Sequence, residues 1–456
     1  MKSLSVIGAG LSGSEAAWQA AEWGCQVRLY EMRPRMQTGA HVTGDCAEMV
    51  CSNSLGSNLP DRASGALKEE MRRMGSLLMD VAGANAVPAG GCLAVDRERF
   101  AEEVTARLEA HPRIEIVREE VTRLPEGPTV LASGPLTSEA LSESLSDFCG
   151  SEHLYFFDAI SPIVSVDSIN MDRAYRGSRW DRGEREEGDY INCPVNREEY
   201  EAFIDALLSA ERIRLESFEA AIDTGVKAGM HEFFEGCLPV EIMAGRGKDA
   251  LAYGPMRPVG LFDPRTGKRA HAVLQLRQDD LAGSCYNMVG FQTNLKFPEQ
   301  KRVFGMIPGL EDAEYLRYGQ MHRNTFINAP SVLKPSLQTR ARDDLWLAGQ
   351  ITGVEGYAGN IATGLLAGVN AARYLDGAEQ MVLPATTMLG SLCHYVTHAR
   401  PEDFQPMKAN YGILPSLDLP AGKKKVGKRD RAKMYAERAL KDLEQSLMEQ
   451  EGVATS

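Results

Sequence analysis

Residues 3–31 constrain this chain more than any other stretch. The run SLSVIGAGLSGSEAA puts Gly8, Gly10 and Gly13 where a short apolar strand (Leu4, Val6, Ile7) turns into a helix. Gly8 allows the tight turn, Gly10 lets a pyrophosphate approach, and Gly13 lets helix and strand pack closely. Ala9, Leu11 and Ser12 fill the same turn and count with them as cofactor-contacting residues. The spacing predicts a helix over Leu11–Trp23 with its N-terminal amides toward the pyrophosphate, a stop at Gly24, and a second strand over Gln26–Tyr30. Glu31, directly after that strand, is placed to accept hydrogen bonds from a ribose. A GxGxxG alone is weak, but strand, helix and acid together specify a dinucleotide site.

A second segment selects the dinucleotide. DDLWLAGQITGVEGYAGNIATGLLAGVNAARYL, residues 343–375, reads as a buried strand (Leu345–Ala348), a glycine-rich loop (Gly349–Gly359) and a small-residue helix from Asn360. The N-terminus of such a helix can face an isoalloxazine or ribityl chain. This return to the sheet suits FAD, an extended cofactor, better than NAD. TVLASG, ending at Gly134, reads as a further strand touching it. Gly134, Gly349, Gln350, Tyr357, Asn360 and Ile361 join the cofactor-binding set. Tyr357 either stacks near the flavin or packs the loop.

The fold class expected is α/β: a Rossmann-like FAD-binding domain with an inserted α+β domain and a helical C-terminal tail. The FAD domain is discontinuous, 1–158 and 330–385, with a helix over Val95–Glu109 and a strand over Arg113–Val117. The insertion, 159–329, holds a helix near Glu198–Leu208 and hairpin-like runs over Leu238–Phe297. Residues 386–456 form the C-terminal segment. With 456 residues, 43% of them hydrophobic, the chain can bury a full core without covalent staples. No apolar run approaches the ~20 residues of a membrane span. Met1 leads straight into the first strand, leaving no room for a signal peptide, and nine cysteines without a paired framework fit reduced thiols, so a cytoplasmic protein without a structural metal is expected.

The formal net charge of −13 argues against a nucleic-acid partner until its distribution is considered. Residues 421–441 hold nine Lys or Arg and two acids, so +7 sits there and −20 elsewhere. This tail either contacts phosphate or is a solvated helix. Arg173, Arg176, Arg179, Arg182 and Arg185 recur every third residue around Tyr175 and Trp180, a pattern suited to phosphates and stacked bases. Seven acids between Asp167 and Asp189 offer the alternative of a self-paired surface loop.

The cysteines bear on the chemistry. Cys46 and Cys51 form a C-x4-C pair after the FAD fingerprint, where flavin-linked disulfide reductases carry their redox pair. The glycine frame of such a pair, a second NAD fingerprint and the reductases' His-Pro and Glu dyad are missing around it, His394 and His398 notwithstanding. Cys51 in EMVCSNSLGS and Cys237 in FFEGCLPVEIMAGRG are each bounded by polar or turn-forming residues, a loop setting that can lower a thiol pKa.

Taken in order, VIGAGLSGSEAA, VCSNSLGS, FEGCLPVEIMA, GPMRPVGL, MHRNTFINAP and LAGQITGVEGYAGNIATG resemble the bacterial folate- and FAD-dependent tRNA (uracil-5-)-methyltransferases over most of the chain. Enzymes that modify the tRNA wobble uridine share the FAD domain and insertion; their long C-terminal helical domain has no counterpart here. The resemblance implies FAD as cofactor, 5,10-methylenetetrahydrofolate as one-carbon donor, NADPH or NADH as reductant, and uridine 54 in the T loop of tRNA as substrate. It also implies Cys237 as the nucleophile and Cys51 as base or partner thiol, with the reversed assignment open. Uracil C5 is a poor nucleophile, and a thiolate adding at C6 turns the ring into an enolate that attacks through C5. The resemblance further suggests His322 closing a stack of pterin on flavin. Arg257, in GPMRPVG, is a candidate carboxylate or phosphate contact. The target base must leave its stack to reach the flavin.

Overall fold

The computed structural model describes residues 2–38, 40–150, 154–213, 238–417 and 426–454. Five parallel strands form one sheet, in the order Leu345–Leu347, Thr129–Leu131, Ser3–Ile7, Gln26–Tyr30, Ile114–Val117. The fingerprint strand is central, with Ile7 opposite Tyr30 on one side and Leu131 on the other. Leu4, Val6, Val27, Leu29, Val130 and Leu347 are buried, as a parallel sheet covered on both faces demands.

The helix behind the glycine turn runs over Leu11–Glu22 and the late helix over Tyr357–Leu375. They meet backbone to backbone. A Cβ on Gly364 would collide with the Ser12 carbonyl and one on Gly368 with that of Ala16, so small residues let the late helix lie on the fingerprint helix. The late helix starts at Tyr357, not at Asn360. Gly356, at φ 83°, redirects the chain into it after a 3-10 turn over Gln350–Thr352 and the short strand Val354–Glu355. The helix expected from Val95 likewise starts at Arg97, because Val95 ends a strand and the Asp96 side chain caps the helix by accepting from the Arg99 amide.

A second, antiparallel sheet has the order Tyr175–Gly177, Tyr190–Val195, Ala272–Gln278, Cys285–Met288, Ile163–Ser165, Tyr315–Arg317. Its own core includes Phe203, Leu207, Leu274, Tyr286 and Phe291. The helix Arg197–Ser209 covers it, opened by a capping box of Asn196 and Glu199. The hairpin-like reading of 238–297 fails in its first part: Val240–Gly245 and Ala250–Tyr253 are helical, and the first strand starts at Ala272. The short apolar run in VEIMA fits either period, and in the helix Glu241 is buried, its carboxyl accepting from the Asn294 amide and the Thr293 hydroxyl.

The antiparallel pair Leu154–Ala159 with Met321–Phe326 leads the chain between the two sheets. The C-terminal segment returns to the first core. The helix Met388–His398 begins on the buried Glu70 carboxylate, which accepts from the Met388 and Leu389 amides, and the final helix, Lys428–Ala454, buries Ala439 and Leu443. Arg429 pairs with Asp61, and Arg73 pairs with Glu444. The basic tail is thus docked along its helix, while Lys423, Lys424 and Lys425 lie outside the described residues. Among the described residues no helix is long and apolar enough to cross a membrane.

Candidate active site

A cleft opens where the parallel strands end, lined on one side by Gly8, Gly10, Leu11 and Ser12 and on the other by Gly134, Gly349, Gln350, Tyr357 and Asn360, with Glu31 between. This is the position in which open α/β sheets bind ligands. Gly13 lies beneath it, and a Cβ there would strike the Gly8 carbonyl. Ala9 is buried in the turn, and its amide donates to Glu31 Oε2 at 3.0 Å. The Ile361 side chain is buried in the core and is not among the lining residues.

Glu31 is also bonded within the protein. Its Oε1 accepts from the Arg33 amide at 3.0 Å and from Arg33 Nε at 2.9 Å, and Arg33 Nη1 continues to Glu48 at 2.9 Å. Burial alone would raise the Glu31 carboxyl, but the hydrogen bond and charge of Arg33, with the Ala9 amide, outweigh it and hold the group below its ordinary value. The acid is therefore ionised and fixes the glycine turn to the strand end. His41, also in the wall, is pushed down to about 4 by burial and by the Arg33 charge, so it is neutral at neutral pH. Arg33, Glu48 and His41 escape sequence reasoning because they follow the second strand in a segment with no periodicity.

The cleft suits a flavin dinucleotide on grounds of its own. Ser12 Oγ and Asn360 Oδ1 are buried in its wall with no hydrogen-bond partner among the described residues, and both facing helices lack a side-chain cap at their N-termini. Free amides and orphaned polar atoms converge on this cleft. Leu11 and Ser12 amides would hold the pyrophosphate, Glu31 the ribose, and Gln350 to Asn360 the flavin end.

Cys51 stands beside this end. It is half-buried, on a loop next to the lining residue Val50. The Tyr357 hydroxyl accepts from the Cys51 amide at 2.7 Å and from the Ser52 amide at 3.2 Å. Burial, and a charge on Cys51 beside it, push the Tyr357 phenol up, so it stays protonated. Through these bonds Tyr357 fastens the cysteine loop to the flavin-side helix. The same loop is tied to the second sheet. Asn53 Nδ2 donates to the Val95 and Gln278 carbonyls, and its Oδ1 accepts from Arg277 Nε at 2.8 Å. Arg97 pairs with Asp279 across the domains and reaches the Met49 carbonyl. Arg317 lies in the same charged neighbourhood and donates to the Ala40 carbonyl.

Cys46, unlike the half-buried Cys51, is 0% exposed, and burial pushes its thiol up to about 11. Such a thiol is a small core hydrophobe, contrary to the reductase alternative. Cys237 lies outside the described residues, which resume at Leu238. His322 falls on the strand Met321–Phe326, opposite Asp158, and its side chain is outside the described set. Arg257 is exposed on the second domain and does not line the cleft.

Sheet order, glycine turn and re-entrant helix define a flavin-dinucleotide-binding fold of the two-domain kind. Residues 3–379 match the family described as glucose inhibited division protein A. The chain is 55% identical over 445 residues to the methylenetetrahydrofolate–tRNA-(uracil-5-)-methyltransferase TrmFO of Anoxybacillus flavithermus, covering 97% of this chain and 99% of that protein. It is 53% identical over 443 residues to the protein of the same name from Bacillus subtilis, covering 97% and 98%. A crystal structure of Aquifex aeolicus GidA shares the fold with a TM-score of 0.67 at 16% identity, over 97% of this chain and 73% of that one. The chain belongs to the glucose inhibited division protein A family and, within it, to the methylenetetrahydrofolate–tRNA-(uracil-5-)-methyltransferases.

Proposed function

We propose that this protein methylates C5 of uridine 54 in the T loop of tRNA, with FAD as cofactor, 5,10-methylenetetrahydrofolate as one-carbon donor and NADPH or NADH as reductant, in the cytoplasm. The observation that carries this reading is Cys51 clamped through Tyr357 to the mouth of a dinucleotide cleft, in a chain 55% identical to a protein of that name. Bound FAD, once reduced, supplies a carrier for the carbon and the electrons that turn methylene into methyl.

The protein's own groups handle the base. One thiolate, assigned to Cys237, adds to C6 of the flipped uracil, so that C5 becomes the nucleophile and bonds the incoming carbon. Cys51, as a thiolate, takes the C5 proton and becomes a thiol, after which the sulfur–C6 bond breaks, the C5–C6 double bond is restored and Cys237 leaves as thiolate. The clamp fixes where Cys51 can act, because both its own amide and that of Ser52 are held by one phenol oxygen. His322, at the strand that leaves the second domain, is assigned to the pterin.

The test is methylenefolate-dependent formation of 5-methyluridine in tRNA by the yellow, flavin-loaded protein. Cys237→Ala is expected to abolish the product while leaving the flavin absorbance unchanged. Retained methylation would refute the nucleophile assignment, and NADPH turnover of small disulfides would favour the reductase.

A further inference from the structure

The arginine run 173–185 divides in two. Arg173 is tied to Glu199 and Glu311, Arg176 to Glu187 and the Tyr286 hydroxyl, and Arg179 to Gln275 and the Val259 carbonyl. Arg182 and Arg257 are exposed, with no carboxylate partner among the described residues. Trp180 sits between these sets. Its indole is 56% exposed, and it rests against Gly260, where a Cβ would come within 2.8 Å of ring atoms Cε2 and Nε1.

The backbone there is held against its preference. Trp180 stands at φ 60°, ψ 29° and Asp181 at φ 52°, the left-handed region that a bulky residue occupies only when its surroundings impose it. The Trp180 amide donates to the Gly260 carbonyl at 2.8 Å, and Arg179 Nη1 donates to the Val259 carbonyl at 2.7 Å, which fixes the two loops together. A tryptophan needed only for packing would be turned inward. Here a strained loop keeps a large ring at the surface, braced on one side.

Its neighbours are suited to an anion. Burial and the nearby Arg257 guanidinium both disfavour the charge on Arg179, so these two cations lie close enough to repel each other. Two residues beyond Gly260, Phe262 is 54% exposed, with the Arg269 guanidinium 5.7 Å from its ring centre. The adjacent acids are largely engaged: Asp263 with Arg265, and Asp189 with the amides of Gly90, Glu184 and Arg185. Asp181, Glu184 and Glu186 remain exposed, so the field is mixed and an aromatic face, more than net charge, must provide the attraction.

We propose that Trp180, with Arg257 and Arg182, forms a second contact for the substrate tRNA outside the flavin cleft, taking an unpaired base on the indole and flanking phosphates on the guanidinium groups. An exposed ring beside unpaired arginines is the usual platform for single-stranded RNA. The inference rests on the tRNA reading given above, and its test is therefore built to fail separately.

The experiment measures the affinity of the full-length, flavin-loaded protein for an unmodified tRNA transcript at several salt concentrations. Trp180→Ala is expected to weaken binding by roughly 10-fold with unchanged flavin absorbance, and Trp180→Phe to recover most of it. Arg257→Ala is expected to weaken binding a few-fold and to lower the salt dependence by about one counterion. If the parent binds tRNA tightly and Trp180→Ala and Arg257→Ala bind equally well, the platform is refuted and the tRNA reading stands. Should Trp180→Ala fail to fold, full affinity in both Arg257→Ala and Arg182→Glu refutes it instead. A parent without tRNA affinity overturns both readings, and a change of oligomeric state in Trp180→Ala at constant tRNA affinity reassigns the face to contacts between protein molecules.

Discussion

The dinucleotide cleft and the Cys51 loop lie side by side but are specified in different ways. The cleft is written in the backbone: a turn without side chains, two uncapped helix starts, and a close helix crossing at Gly364 and Gly368. The Cys51 loop is written in side chains from far along the chain, namely Tyr357, Arg277, Gln278 and Asp279. Damage to the first should remove the cofactor. Damage to the second should leave the cofactor bound and misplace the thiol.

The sharpest way to break this contrast is at Gly13. Any side chain there meets the Gly8 carbonyl, a backbone atom with no room to retreat, so Gly13→Val is expected to give protein without bound flavin, or no soluble protein. The check is the visible absorbance of the purified protein. A yellow variant with parent-level flavin would mean that the turn can open without loss, and the cleft would no longer be a backbone-defined site.

The same contrast explains what could be read from the sequence. The fingerprint, the second strand and the late helix follow from local rules, and their ends were off by at most a few residues where a cap intervened, as at Asp96 and Gly356. The helices Val240–Gly245 and Ala250–Tyr253 are not legible because each is short, and a few residues of apolar pattern fit helix and strand alike. Of the site, the glycines and Glu31 were legible. The clamp was not, since Tyr357 stands 306 residues from Cys51 and no local pattern announces a hydrogen bond over that separation.

Tyr357→Phe sharpens the second half of the contrast. It keeps the ring but removes the acceptor of two half-buried amides, and stranding such N–H groups costs at most about 1–3 kcal/mol. The loop should relax, with a lower melting temperature and methylation reduced by about 10-fold or more through misplacement of Cys51. Flavin affinity should change only slightly. Loss of flavin in parallel with activity would show that Tyr357 belongs to the cofactor seat and that the two regions are not separately held.

The smallest effect expected is one of pH, and it belongs to the cleft alone. His41 is held near 4 against 6.5 in the unfolded chain, by burial first and then by Arg33, with Glu48 and Glu31 opposing and Arg317 reinforcing. Between those values the unfolded chain binds a proton that the folded one refuses, so stability falls as pH drops from about 6.5 to 4, by at most on the order of 2–3 kcal/mol. Glu31, whose folded value is depressed, adds a further loss only below its own ordinary range, as acid reaches the Arg33 pair. His41→Gln cannot take up that proton, so its melting temperature and flavin retention should decline less than the parent's across the upper window. Because His41 lines the cleft and hydrogen-bonds Thr38 in the same wall, the decline should appear as flavin release before global unfolding. Parallel pH profiles for the variant and the parent would remove His41 as the cause and leave the Glu31–Arg33–Glu48 chain as the only acid-sensitive part of the wall proposed here.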